Sequence, residues 1–432
     1  MKVNTLYIET YGCQMNLSDS EVIVGIMEAN GYETVTTLEE ANIILFNTCS
    51  VREHAEERVI QRIRNIKKLK QNNMIFGLVG CMAERLKEKL FNIEKSIDLI
   101  LGPDNYRRLP EYIKHLENQK KVCDTNFNHE ETYSDIIPTR ESNVTAWIPI
   151  MRGCDNSCSY CIVPLTRGKE RSRNFDSIVE EAKNLISKNY KELYLLGQNV
   201  NSYNYDGKNF SDVLESIAKL NSDVRIRFMT SHPKDLSDNL IETISRYSNI
   251  CKHIHLPCQS GSNRVLELMN RNYTREHYLE LIKKIKKAIP EVSLSTDIIV
   301  GFPSETESDF LYTLSLLNEV KFDSSFMFKY SPREGTSAYL IDDDVPENIK
   351  SERLIKVIDL QQNVSSVSNK NLIGTNQEVL IESYSKKSDT EFQGRLGNNK
   401  VVVFPANGNK IGETTAIKIT DSTSATLIGE LV

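Results

Sequence analysis

No apolar run in this 432-residue chain approaches the ~20 residues that a membrane span needs, so no membrane partner is expected. The opening MKVNTLYIETYGC lacks the basic-then-apolar layout of a secretion signal, and a cytoplasmic location is expected. An excess of positive charge is missing too. The net charge of −6 argues against non-specific coating of nucleic acid, although RNA recognition through a local patch stays open. There is no internal repeat and no low-complexity segment. What remains is a globular composition, 39% hydrophobic and 26% charged, with length for roughly two to four domains. The cysteines stand out. They number nine, an odd count, in a chain expected to live in a reducing compartment, so metal or redox chemistry explains them better than disulfides.

Periodicity divides the chain in three. In residues 1–130, the strand-like runs 6–10, 42–47 and 74–80 alternate with helical patterns, which implies a parallel sheet with covering helices. Ser18 or Asp19 is a candidate cap for the first helix, which Gly31 follows. Residues 115–146 are polar and irregular and read as a closing loop and linker. Alternation resumes over 143–368, with six candidate strands in WIPIMRG, KELYLLGQNV, VRIRFMTSH, HIHLPCQS, SLSTDIIVGF and SSFMFKYS. Six such units suit a partial (β/α)6 barrel better than a full eight-stranded one. Ser177 with Glu180 is a candidate capping box for its first helix. After a long helical pattern near 346–370, residues 369–432 alternate in short strands with Gly and Asn turns, a small all-β module.

MRGCDNSCSYC sets Cys154, Cys158 and Cys161 in a CxxxCxxC array just after the first barrel strand. Three thiolates on one loop can grip three corners of a [4Fe–4S] cubane and leave the fourth iron open to an outside ligand. A structural zinc site prefers four protein ligands, often as two CxxC pairs, and no partner pair is present; a zinc knuckle completed by His is the lesser alternative. Further motifs end the next strands: GQNVN (197–201), TSHP (230–233), QSGS (259–262) and DIIVGFPSET (297–306). This is the end of a barrel where function gathers. Gln198, Ser231, Gln259 and Asp297 are candidates to hydrogen-bond a cofactor or substrate. Gly197, Gly261 and Gly301 would let backbone approach a ligand. Taken singly, each reads as well as an ordinary turn residue.

A second trio lies in the first domain. Cys13, Cys49 and Cys81 each follow a strand. Parallel strands send their exits to one sheet edge, so three distant thiols converge there, again one short of a full cubane set. The alternative, three buried cysteines acting as small apolar residues, is disfavoured by their position outside the apolar runs. Cys123, Cys251 and Cys258 form no comparable set and are taken as non-ligands.

ETYGCQMN, FNTCSVRE, LVGCMAE, IMRGCDNSCSYCIVPLTRG, LLGQNVN, TSHP, LPCQSGS and IVGFPSET resemble, in order and over nearly the whole chain, the methylthiotransferase family of radical S-adenosylmethionine (SAM) enzymes. MRGCDN, GQNVN and TSHP are most similar to the bacterial branch acting on isopentenyl-adenosine next to the anticodon of tRNA. The resemblance implies an α/β cluster domain, a radical SAM barrel and a C-terminal TRAM-like β barrel. It implies two [4Fe–4S] clusters, an auxiliary one on Cys13, Cys49 and Cys81 and a radical SAM one on Cys154, Cys158 and Cys161. SAM is implied twice, as methyl donor and as source of a 5′-deoxyadenosyl radical that acts at carbon 2 of the adenine. Such an unactivated C–H is a poor target for acid–base chemistry, and the cofactors carry the hard step. Tyr160 and Arg173 join Gln198, Ser231, Gln259 and Asp297 as candidate SAM contacts.

The implied partners are the tRNA anticodon stem-loop and a low-potential electron donor such as flavodoxin or ferredoxin, with the chain a monomer. Of two basic runs, RIRNIKKLK (62–70) and RGKERSR (167–173), the second is preferred for RNA phosphates, through Arg167, Lys169 and Arg171. Arg171 or Arg173 could instead pair with the SAM carboxylate. Phe392 and Phe404 read as core rather than as base-stacking platforms. Rival readings are the same chemistry on threonylcarbamoyl-adenosine of tRNA or a ribosomal-protein aspartate and, from another class, a non-catalytic zinc or RNA-binding module.

Overall fold

A computed structural model of the chain describes residues 4–50, 53–70, 74–116, 121–140 and 142–432. The first domain is built on a six-stranded, all-parallel sheet in the order Glu33–Thr34, Thr5–Thr10, Ile43–Thr48, Ile75–Gly80, Leu99–Leu101, Val122–Asp124. Alternate side chains serve separate cores. Leu45, Val79 and Leu99 pack with Val22 and Ile23 of the helix Gln14–Ala29, while Ile44, Phe46, Phe76 and Leu78 pack with Val59 and Ile63 of the helix Glu53–Ile66. A parallel sheet needs both faces covered, which is why Ile43–Thr48 is buried along its whole length.

Three of these strands lie outside the expected runs. They are two or three residues long, too short to show a period. The last, Val122–Asp124, falls inside the segment read as loop and linker, and carries Cys123. The first helix also begins earlier than expected. Cys13 is its N-cap, and Ser18 and Asp19, the expected caps, are fully buried within it.

In the second domain Thr145–Pro149, Glu192–Leu196 and Arg225–Phe228 pair in parallel, as do His253–His255, Ser293–Val300 and Ser324–Lys329. A parallel bridge between Ile226 and Ile250 joins the two triplets. All six expected strands are present, and among the described residues no pairing closes the ring. Ile148, Leu193, Phe228, Ile254, Leu294 and Ile298 contribute to one core under the surrounding helices. The helix Phe175–Ser187 is capped by Asn174, whose side chain accepts from the Ser177 N–H at 2.9 Å. Ser177, the expected cap, is thus already in the first turn.

The helix Glu347–Lys370 leads into a closed five-stranded barrel of Asn376–Ser385, Ser388–Leu396, Val401–Pro405, Thr426–Leu431 and Thr414–Ser422. Phe392 and Phe404 sit in its core, 2% and 0% exposed. This module docks where the large barrel's strands begin: Arg227 Nη2 donates to the Leu396 carbonyl at 2.7 Å and Arg225 Nη1 to the Arg395 carbonyl at 2.8 Å. A cleft of about 1730 Å³ lies at this junction. Of the cysteines only Cys251 lines it, and it is at the opposite end of the barrel from the cysteine loop.

Candidate active site: two cysteine trios and the junction between them

The first trio converges at the sheet edge. Cys13 caps the helix Gln14–Ala29, Cys81 opens the helix Cys81–Leu86, and Cys49 follows the strand between them. The turn at Gly12 (φ +135°) is so close to Cys49 that a Cβ there would meet the Cys49 Cβ at 2.5 Å; at Gly80 (φ +92°) one would meet the Asn47 Oδ1 at 2.6 Å. Only glycine fits such turns.

Side chains stitch the exits together. Asn16 Nδ2 donates to Asn47 Oδ1 at 3.1 Å and to the Thr48 carbonyl at 3.2 Å, and Asn47 Nδ2 returns to the Asn16 carbonyl at 2.8 Å. Ser50 Oγ donates to Glu56 at 2.5 Å and accepts from Arg85 Nε at 2.9 Å, which ties the Cys49 loop to the Cys81 helix. A hydrogen bond with Cys49 pulls the Cys13 thiol down to about 6 against the effect of burial, helped by Arg167 and by the N–H groups of Asn16 and Met15. The thiolate is the form that binds metal, and this shift runs toward it. Burial keeps Cys81 raised, although the Arg167 charge opposes this.

The second trio occupies a loop held from outside. Ser159 N–H donates to the Met269 carbonyl at 3.0 Å and its Oγ to the Leu268 carbonyl at 2.7 Å. Asn270 Nδ2 donates to the Ser157 carbonyl at 2.8 Å. Arg271, 4% exposed, aims Nη1 at the Cys158 Sγ (3.4 Å) and the Tyr160 Oη (3.3 Å), and anchors Nη2 on the Pro257 carbonyl at 2.9 Å. Burial pushes the Cys161 thiol up to about 12 and raises Cys154 as well. Among the described residues no three Cys, His, Asp or Glu side chains gather tightly enough for a single metal ion. A cubane binds its thiolates on different irons and asks for a wider triangle.

One carboxylate joins the two sites. Asp19, on the helix that Cys13 caps, accepts from Arg152 Nη2 at 2.6 Å and from Arg167 Nη2 at 2.7 Å. These arginines bracket the CxxxCxxC loop. The short helix Val163–Arg167 runs from that loop to the helix Cys81–Leu86, against which it packs. Nearby, Arg171 donates to Asp104 at 2.8 and 3.0 Å.

This geometry corrects the expected RNA contacts. Arg167 and Arg171 are 4% and 9% exposed and committed to first-domain carboxylates, so they face no phosphate; of the three, only Lys169 is exposed. Arg173 is corrected as a SAM contact, because its guanidinium is buried and paired with Glu181 and Ser177. In the other basic run, Arg62 pairs with Glu9 and Lys70 with Asp98.

The barrel mouth behaves differently. Buried with no hydrogen-bond partner are Gln198 Oε1, Ser231 Oγ, Gln259 Oε1 and both polar atoms of Asn201. Gln259 also adopts φ +64°, a strained conformation for a non-glycine residue. Unsatisfied buried polar groups are rare in proteins, and these four residues all follow barrel strands at their C-terminal ends. Asp297 faces His255 Nε2 at 3.5 Å. The three mouth glycines are corrected: Gly197 backs onto Met151, Gly261 onto the Tyr312 carbonyl and Gly301 onto Lys350, so they serve packing and not ligand approach. Asn16, Asp19, Asn47, Arg152, Asn201 and Arg271 are absent from the expected site. Asn16, Asn47, Arg152 and Asn201 lie inside the quoted motifs, which is their only signal; Asp19 reads as a cap, and Arg271 lies in no motif. Cys258 is fully buried, with its thiol raised to about 12 by burial.

Three family models match in series: "Uncharacterized protein family UPF0004" over residues 5–102, the radical SAM superfamily over 148–317 and the TRAM domain over 370–432. The chain is 52% identical over 430 residues to a tRNA-2-methylthio-N(6)-dimethylallyladenosine synthase of Chloroherpeton thalassium, covering 98% of this chain and 95% of that one. Against the enzyme of the same name from Porphyromonas gingivalis the identity is 48% over 439 residues, covering 99% and 95%. In fold it is similar to the radical SAM methyltransferase TsrM of Kitasatospora setae, with a TM-score of 0.58 at 12% identity over 78% of this chain and 77% of that one. The partial barrel, the parallel-sheet domain before it and the TRAM barrel after it are therefore the architecture of a radical SAM enzyme, and the chain belongs to the tRNA-2-methylthio-N(6)-dimethylallyladenosine synthase family.

Proposed function

We propose that this enzyme adds a methylthio group to carbon 2 of isopentenyl-adenosine beside the anticodon of tRNA, with one [4Fe–4S] cluster on Cys13, Cys49 and Cys81 and another on Cys154, Cys158 and Cys161. The observation that carries this reading is that one buried carboxylate, Asp19, binds both flanks of the second trio's loop from the helix capped by a member of the first. Two sites that must act on one carbon in succession need such a fixed relation.

The donor sets suit the clusters. Each offers three thiols, two of which in the first trio sit at helix N-termini, where thiolates are favoured. When bound, the clusters supply the electron that cleaves SAM and the sulfur that is transferred. The chain's own part is positioning and exclusion. Gln198, Ser231, Gln259 and Asn201 have unpartnered polar atoms for the SAM amino acid and ribose, with Tyr160 and Asp297 beside them. Arg271 holds the Cys158 loop in place. The TRAM barrel and the exposed Lys169 are the surfaces offered to tRNA. A flavodoxin or ferredoxin is the proposed electron donor, and the working unit is a monomer.

Anaerobic iron and sulfide quantification tests the assignment. Wild type should hold about two cubanes per chain. Cys13/Cys49/Cys81→Ala and Cys154/Cys158/Cys161→Ala should each keep one. Loss of both clusters, or of neither, in either variant overturns it. Mass spectrometry of tRNA nucleosides from reactions with isopentenyl-adenosine-containing and threonylcarbamoyl-adenosine-containing tRNA should find the methylthio product only in the first.

A further inference from the structure

The group that joins the sites is not electrically balanced. Asp19, Arg152 and Arg167 are 0%, 2% and 4% exposed. One carboxylate faces two guanidinium groups, so this buried group carries one excess positive charge. A buried charge without a partner is costly, and the two arginines meet that cost differently. Arg152 also has Nε and Nη1 buried without a hydrogen-bond partner, but it lies over the ring of Tyr133, 4.6 Å from its centroid, which offers a cation a favourable face. Among the described residues no ring lies beneath Arg167. Its Nη1 is buried without a partner. Its helix packs against the helix that Cys81 opens, and Asp19 ties it to the helix that Cys13 caps.

We infer that Arg167 is a donor and fixed positive charge for the iron–sulfur cluster of the first trio, supplied across the domain junction by the loop of the second. The inference rests on the reading that Cys13, Cys49 and Cys81 hold a cluster. An iron–sulfur cluster on thiolates is anionic, and its sulfurs accept hydrogen bonds, so it is the partner the excess charge lacks. Net charge and hydrogen bonds to sulfur set the reduction potential of such clusters. A guanidinium held from behind by Asp19 favours the reduced, more negative form. It also makes the first cluster's potential depend on how the barrel loop is seated, because Arg167 follows Cys161 by a single short helix.

The test uses full-length chain carrying Cys154/Cys158/Cys161→Ala, in which the first trio is the only cluster site. Iron and sulfide are counted first, and the cluster is then titrated with redox mediators. Arg167→Gln should make one-electron reduction at least tenfold less favourable, about 59 mV. Arg167→Lys, which keeps the charge and loses the fork, should restore part of it. Arg152→Gln, which breaks the other arm of the same carboxylate and leaves Arg167 in place, should shift it much less. If Arg167→Gln fails to load iron while Arg152→Gln loads it, the lost partner charge has appeared as lost binding, which also supports the assignment. An unchanged potential in Arg167→Gln, or an equal shift in Arg152→Gln, overturns the tuning role and leaves the cluster assignment standing. A parent chain with no iron overturns both.

Discussion

The two cysteine trios reach the same count by opposite routes. The barrel trio comes from eight consecutive residues, Cys154 to Cys161. The first-domain trio comes from three strand exits brought together by sheet order. A loop brings its ligands close in sequence but does not hold itself still, so it borrows rigidity from elsewhere: Ser159, Asn270 and Arg271 all bind it to a second loop. A sheet edge is already rigid, and its difficulty is drawing neighbouring exits together. The Asn16–Asn47 exchange and two positive-φ glycines do that work. Pre-organisation is needed in both, but it is spent on a different problem in each.

The largest expected effect breaks the link between the two sites. Asp19→Ala leaves two buried guanidinium groups without their carboxylate, at a cost of roughly 3–5 kcal/mol. Asp104→Ala, which releases one guanidinium, Arg171, and the Asn128 N–H, should cost less. Thermal denaturation of the cluster-free proteins measures both. Equal and small losses would mean that the domains do not rely on this contact to stay in register.

A second test exploits acidity behind the first trio. Burial raises the Glu84 carboxyl to about 8, with Lys87 opposing and Asp104 and Asp124 adding to the effect. Its folded value lies above its unfolded one, so the native state binds the extra proton. Stability should therefore fall as pH rises from about 4.5 to 8, by at most about 5 kcal/mol, and level off beyond. Glu84→Gln should flatten that slope in urea unfolding measured across the range. Glu170, near the second trio, is also raised by burial but only half-buried, and Glu170→Gln should flatten it less.

The contrast between the trios also explains what was legible in the sequence. CxxxCxxC is local and speaks for itself. Cys13, Cys49 and Cys81 became legible once strand exits were recognised, because parallel strands share an exit edge. The strands Leu99–Leu101 and Val122–Asp124 were too short to show a period. The charged residues were the least legible. RGKERSR reads as a phosphate-binding run, yet Arg167 and Arg171 point into the molecule, because Asp19 and Asp104, far away in the chain, are what they meet. Charge in sequence carries no direction, and a buried partner cannot be read from either end of the pair. Asp19 was misread as a cap for the same reason: its Ser-Asp-Ser setting is cap-like, while its actual role depends on a domain that begins more than a hundred residues later.

Gly12→Ala sharpens the comparison further. A methyl group there would sit 2.5 Å from the Cys49 Cβ at a φ unfavourable to alanine. A cost of about 2 kcal/mol is expected, with lost iron at the first trio only. Ser157→Ala, an exposed change inside the second loop, should leave iron at both sites intact. The reverse pattern would mean that the sheet edge, not the loop, tolerates adjustment.

The smallest expected effect concerns the surface that remains of the basic run. Lys169 alone is exposed, one residue past the Gly168 turn (φ +71°) and between arginines that face inward. If it contacts a tRNA phosphate, Lys169→Ala removes about one released counterion and lowers the slope of log affinity against log salt by roughly 0.7 to 0.9. Stability and iron content should not change, since the side chain buries nothing. Filter binding of isopentenyl-adenosine-containing tRNA over a salt series would read that slope. An unchanged slope would leave the whole run from Arg167 to Arg173 as scaffold, with tRNA recognised elsewhere on the enzyme.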